Sequence, residues 1–99
     1  MEFTQHVIVH TSDEAALVAL MSEWSEGREE PPPGFLRGRL LRFRDQPGKY
    51  AIEANFDSWE AAQLSNERPD TQASAERLRE IVDRDPKYEN LDVLVEMSP

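Results

Sequence analysis

The stretch GFLRGRLLRFRDQPGKYAIEANF, residues 34–56, decides the fold. Two runs of strand-forming residues flank a DQPG turn. Proline presets φ for a turn, and glycine accepts the positive φ that a reversal needs. The two runs, at about residues 35–44 and 49–56, are therefore expected to pair as an antiparallel hairpin. Gly38 is a candidate position for a bulge within it.

The rest of the chain is placed outward from this hairpin. Upstream, FTQHVIVH has a β-branched centre and suits a first strand over residues 3–10. Thr11 or Ser12 is expected to cap a helix, with Glu14 three residues after Thr11 as a capping box requires. Leu17, Leu20, Met21 and Trp24 recur at helical spacing with Ala16 beside them, and Gly27 ends the helix. REEPPPG, residues 28–34, reads as a loop, because three successive prolines continue neither regular structure. Downstream, Asp57 or Ser58 caps a short helix holding Trp59, Ala62 and Leu64. The ring of Pro69 would clash with the Ser65 carbonyl in a continuous helix, so the second helix is expected to break near Pro69, over residues 66–69. Helical spacing resumes at Ala75, Leu78, Ile81 and Val82. RDPKYEN, residues 84–90, reads as a loop and LDVLVEM, residues 91–97, as a final strand.

The order β-α-β-β-α-β predicts one α+β domain over residues 1–99. Its fold is ferredoxin-like, with a four-stranded antiparallel sheet ordered 4-1-3-2 and both helices on one face. Strand parity turns Val7, Val9, Ile52, Ala54, Phe56, Val93 and Val95 toward the helices. The opposite face carries His6, Ile8 and His10, then Ala51, Glu53 and Asn55, then Asp92, Leu94 and Glu96. Leu36 and Leu40 are expected to join Ile8 and Leu94 there, as an apolar row that a second copy would cover. Hydrophobic residues make up only 38% of the chain, which favours a homodimer over a self-sufficient monomer.

Composition excludes several functions. Acidic residues outnumber basic ones 20 to 11, for a net charge of -9, the wrong sign for a nucleic-acid partner. There is no cysteine for a disulfide or a thiolate metal site. No apolar stretch approaches the ~20 residues that cross a bilayer, so no membrane partner is expected. MEFTQHVIVH lacks the basic start and apolar run of a signal peptide, and a cytoplasmic location is expected. Neither GxGxxG nor GxxxxGK occurs.

Residues 33–66, PGFLRGRLLRFRDQPGKYAIEANFDSWEAAQLSN, together with LDVLVEM, resemble the antibiotic biosynthesis monooxygenase-like group of the dimeric α+β barrel superfamily. The resemblance implies a homodimer whose two sheets pack face to face, with a cavity in each subunit between sheet and helices. Some relatives oxidise polycyclic phenols to quinones without a cofactor, others open haem, and others have no known reaction. The cofactor-free oxygenases are associated with an Asn, a Trp and an Arg. Asn55, Trp59 and Arg79 stand at similar places: the end of strand three, the start of the next helix, and late in the helical segment after it. By resemblance, Trp59 stacks on a flat aromatic substrate, Arg79 stabilises a phenolate, and Asn55 hydrogen-bonds the reacting oxygen. Parity offers a competing reading, with Asn55 away from the helices and Trp59 simply in the core. The haem-degrading branch uses a histidine on the helix after strand three. The histidines here are His6 and His10, both on strand one, so haem is not expected. His6 and His10 share a face with Glu53, which suits a metal site or, more commonly, an interface. No metal, flavin or haem cofactor is expected.

Four arginines, Arg37, Arg39, Arg42 and Arg44, crowd one strand of this acidic chain. They protect a sheet edge, hold an anionic ligand, or meet the acidic fourth strand of a partner. The third option predicts an interface of Arg42 and Arg44 against Asp92 and Glu96, with Ile8 and Leu94 supplying apolar contact. Two functions follow: a cofactor-independent monooxygenase acting on a small aromatic or polyketide-like compound, or a non-catalytic dimeric ligand-binding module of the same fold. An open cavity with focused polar groups distinguishes the first from a protein whose cavity is filled.

Overall fold

A computed structural model of the chain describes residues 1–27 and 30–99; of the loop expected over residues 28–34, Arg28 and Glu29 lie outside the described residues. The elements are β1 (Phe3–His10), α1 (Glu14–Glu26), β2 (Phe35–Arg42), β3 (Lys49–Phe56), α2 (Trp59–Asn66), α3 (Pro69–Ile81) and β4 (Lys87–Asp92). The strands form one antiparallel sheet in the order β2-β3-β1-β4. This is the expected ferredoxin-like arrangement, with the second helix divided before Pro69. That proline opens α3, where its missing N–H would have had no intrahelical partner.

The hairpin closes through Phe43 N–H to the Lys49 carbonyl at 3.0 Å, with Gly48 at φ +83. β2 ends at Arg42, so Arg44, expected on the strand, sits in the turn. The bulge falls between Phe35 and Arg37 rather than at Gly38. It carries Phe35 to the helix side, where its ring lies close to Gly38: a Cβ there would come within 3.3 Å of Phe35 Cζ. Beyond the bulge, Arg37, Arg39 and Leu41 stand opposite Asn55, Glu53 and Ala51 on the open face. Leu40, expected on that open face, stands opposite Ile52 and packs into the core instead.

The core has two parts. Val9, Leu17, Leu20, Tyr50 and Leu78 form one, and Phe3, Phe56 and Ala62 the other. Full burial of each large apolar side chain contributes ~1.5–3 kcal/mol. The α1 cap is Asp13, whose carboxylate accepts from Ala16 N–H at 3.0 Å, rather than Thr11 or Ser12. Thr11 is buried; its hydroxyl donates to the Ile81 carbonyl at 2.9 Å and accepts from Asp13 N–H. It thereby ties the end of β1 to the end of α3. Ser58 caps α2, accepting from Ala61 N–H at 3.1 Å. On α2 the expected apolar stripe is turned: Leu64 is exposed, and Ser65 takes the buried position.

The last strand departs most from expectation. KYEN, assigned to a loop, begins β4, and of LDVLVEM only Leu91 and Asp92 belong to the strand. β4 pairs with β1 from Lys87 opposite Ile8 to Asp92 opposite Phe3, and the Val93 N–H reaches the Glu2 carbonyl at 3.0 Å. Beyond that point there is no neighbouring strand among the described residues, and β-propensity without a partner does not make a strand. The register also reverses the expected parity. Tyr88 and Asp92 share the helix side with Val7 and Phe3, while Leu91 faces the open side with Thr4. Leu94, Val95 and Met97 remain 81%, 74% and 89% exposed.

Candidate ligand cavity and the polar face of the sheet

Between sheet and helices lies a cavity of about 510 Å³. The sheet contributes Val7, Ile52, Ala54 and Phe56 to its wall, and β2 adds Phe35, Gly38 and Leu40. From above, α1 brings Met21, Trp24 and Ser25. Trp24 packs edge-on to Phe35, with ring centroids 5.5 Å apart, and Phe35 packs the same way on Phe56. The volume and aromatic lining suit a flat organic molecule. The cavity is not packed shut by Trp24 and Phe56; both form walls around open space.

Polar groups enter this wall mostly from the helices, while Gln5, Arg39 and Glu53 border it from the sheet. Ser65 and Asn66 end α2, Thr71 and Gln72 belong to the first turn of α3, and Arg79 lies near its end. Among the described residues, no carboxylate pairs with Arg79, whereas Arg37, Arg39, Arg42, Arg68 and Arg77 each have one. Arg79 is thus a cation with its donors available to a ligand.

The three residues assigned by resemblance are not gathered around this space. Arg79 lines it; Asn55 and Trp59 do not. Trp59 is 44% exposed and rests edge-on against Phe3, with centroids 5.0 Å apart. Asn55 is buried on the open face of the sheet, as parity requires. Its Oδ1 accepts from the Thr4 hydroxyl at 2.6 Å, and its Nδ2 donates to Glu53 Oε1 at 3.3 Å. The aromatic wall is instead Trp24, which the sequence reading placed only on the buried stripe of α1. Its position one turn after Leu20 was the available signal.

Asn55 belongs to a second cluster centred on Glu53. This carboxylate is 8% exposed. Arg39 donates to Oε1 from Nε and Nη2, and His6 Nε2 lies 2.9 Å from Oε2. Burial alone would raise the pKa of Glu53, but the bonds from Arg39, His6 and Asn55 outweigh it and hold the carboxyl below its ordinary value. Arg42 is also engaged: with Tyr50 it donates to Glu14, at 2.8 and 3.0 Å, and these bonds lower the Glu14 pKa. Burial and the bond to Glu14 raise that of Tyr50. Among the described residues no group of three His, Asp or Glu side chains is placed to hold a metal, and no helix is long and apolar enough to cross a membrane.

Comparison with known proteins places this geometry in a structural class. No family model matches the chain, and no curated protein matches it. Solved structures do. A presumed antibiotic biosynthesis monooxygenase from Caulobacter crescentus CB15 superposes with a TM-score of 0.82 at 16% identity, covering 95% of this chain and 91% of its own. Rv0793 from Mycobacterium tuberculosis gives 0.80 at 18% identity, covering 99% and 100%. SnoaB, a cofactor-independent oxygenase from Streptomyces nogalater, gives 0.69 at 20% identity, covering 99% and 96%. At such identities the likeness is one of architecture, and on that ground the chain has the fold of the antibiotic biosynthesis monooxygenase-like proteins.

Proposed function

We propose that the chain is a cofactor-independent monooxygenase that takes a small, flat, electron-rich phenol or polyketide-like compound into the cavity between sheet and helices. The observation that carries this reading is an aromatic cavity of about 510 Å³ whose one cation without a described carboxylate partner is Arg79. A guanidinium there favours the phenolate and the oxyanion formed as charge passes to dioxygen. The overall balance needs no further reductant. The phenol gives up its O–H and one ring C–H hydrogen, one oxygen atom becomes the new quinone carbonyl, and the other leaves as water. The likeness to SnoaB, a cofactor-independent oxygenase, supports oxygenation without a cofactor. Trp24 supplies the stacking surface in this arrangement; Trp59 and Asn55 enter only through the resemblance. The working unit is a cytoplasmic homodimer, formed through the open sheet face, where Ile8 is already buried within the single chain rather than exposed as expected, and by the exposed segment carrying Leu94 and Glu96; Arg44 in the hairpin turn and Asp92, turned to the helix side, lie outside its centre.

A non-catalytic dimeric ligand-binding module is the second reading, favoured by the positions of Asn55 and Trp59 away from the cavity. Oxygen uptake by purified protein across a panel of polycyclic phenols separates the two. Turnover that falls about 10²–10³-fold in Arg79→Ala, with the fold retained, is the expected result for an enzyme. Binding of the same phenols with no oxygen uptake establishes the module instead.

A further inference from the structure

The break at Pro69 has a chemical consequence at the cavity. It brings the last turn of α2 and the first turn of α3 together, so Ser65, Asn66, Thr71 and Gln72 gather at one end of the cavity wall. Arg79 marks the other end. Thr71 and Arg79 are eight positions apart in the helix, so the two stand about 12 Å apart along the α3 axis. Ala75 and Leu78 line the cavity between them, with Ser74 beside them.

Thr71 is unusual within this group. Its Oγ1 is shut away from solvent, and among the described residues no side chain or backbone group bonds to it. Its own backbone N–H is satisfied by Asp70 Oδ1 at 2.9 Å, so the orphan is the hydroxyl alone. Buried hydroxyls in native chains are nearly always paired; this one is covered from the cavity side as well, so a partner within the cavity reaches it only after a turn about χ1. Threonine in a helix divides between two χ1 rotamers, and exchange between them swings the hydroxyl past the methyl without moving the backbone.

We propose that Thr71, supported by Gln72, is a second polar anchor, gripping a neutral hydroxyl or carbonyl oxygen on the end of the ligand remote from Arg79. The inference rests on the cavity being the ligand site. It adds that the ligand carries oxygens at both ends of an apolar body, and that the pair Arg79 and Thr71 fixes which way round it lies. Thr71 is a positioning residue for ligand orientation; it takes no part in bond making.

The test compares two probes by calorimetry under nitrogen at neutral pH: 2-naphthol, with one oxygen, and 2,6-dihydroxynaphthalene, with one at each end. Wild-type protein is expected to favour the diol by about 2–10-fold, the range of one neutral hydrogen bond. Thr71→Val, of nearly the same shape, removes that preference by weakening the diol more than 2-naphthol; Thr71→Ser retains it. Thermal unfolding of ligand-free Thr71→Val at or above the wild-type midpoint shows that the loss is not a folding defect. A diol preference that survives in Thr71→Val overturns the anchor and leaves the cavity reading standing. Failure of both probes to bind wild-type protein overturns the cavity reading and the anchor with it.

Discussion

Arg39 and Glu53 stand opposite one another on β2 and β3, and Arg39 Nε and Nη2 both donate to the same carboxylate oxygen, Oε1, at 2.9 and 2.6 Å. Oε2 is left to His6. Three of the four arginines of this run are engaged within the chain in this way. Arg37 meets Glu2 at 3.4 Å, Arg42 meets Glu14 at 2.8 Å, and Arg39 neutralises a carboxylate on the inner part of the sheet. The first two are exposed pairs worth about 0–1 kcal/mol each. Glu53 is different because it is buried and accepts from three side chains.

Arg39→Ala should therefore destabilise the protein by ~1–3 kcal/mol, the scale of hydrogen bonds to a buried charge, and by more than Arg37→Ala. Urea unfolding at neutral pH measures both. Equal effects from the two variants would show that Glu53 does not depend on Arg39.

The same carboxylate sets an acid dependence. The folded-state pKa of Glu53 lies below its ordinary value of 4.5, so its stabilising contribution is complete above about that pH. It is lost as pH falls through the folded-state pKa. Glu14, also lowered, acts in the same direction. The stability gap between wild type and Glu53→Gln should be widest at neutral pH and should close as pH drops below 4.5. Unfolding free energies measured from pH 7 to 3 decide this, and a gap that widens in acid contradicts it.

Gly34 stands at φ +82, and a Cβ there would lie 2.6 Å from Ala61 Cβ and 2.7 Å from Asp57 Oδ1. The position joins the start of β2 to α2, and the Gly34 carbonyl accepts from Asp57 N–H at 2.8 Å. Gly34→Ala should cost at least ~1–3 kcal/mol from backbone strain alone, with the steric clash added. A thermal midpoint unchanged by this substitution would exclude such tight packing.

The two tryptophans should separate in function. Trp24 lines the cavity and Trp59 does not. Trp24→Phe should weaken binding of a flat phenol such as 2-naphthol, and its fluorescence should be the one quenched on titration. Trp59→Phe should leave affinity within twofold and act on stability through Phe3. Quenching that persists in Trp24→Phe and vanishes in Trp59→Phe would move the ligand site to the outer end of α2.

Association should depend on the exposed segment after β4. Sedimentation equilibrium at micromolar concentration should give twice 11.4 kDa. Leu94 is 81% exposed in the single chain, so Leu94→Asp should shift the protein toward monomer without lowering protomer stability. An unchanged dimer, or a wild type that sediments only as a monomer, excludes this surface.

Local patterning by itself determined the element order, the hairpin and its DQPG turn, the division of the second helix at Pro69, and the open-face placement of Asn55 and Glu53. These follow from rules that act within a few residues: ring clash at proline, side-chain alternation along a strand, apolar spacing along a helix. Where patterning needed a neighbour, it did not suffice. The bulge after Phe35 was decided by the match of β2 to β3, and it sent Leu40 to the core. The length and parity of β4 were set by where β1 runs out, not by the apolar run in LDVLVEM. Burial of Ser65 rather than Leu64 came from how α2 lies on the sheet. Trp24 rather than Trp59 faces the cavity for a related reason: which helix roofs the space depends on long-range packing. The partners of Arg37, Arg39 and Arg42 were settled by tertiary assembly, because Glu2, Glu53 and Glu14 lie far from them in sequence and close only once the sheet and helices have assembled.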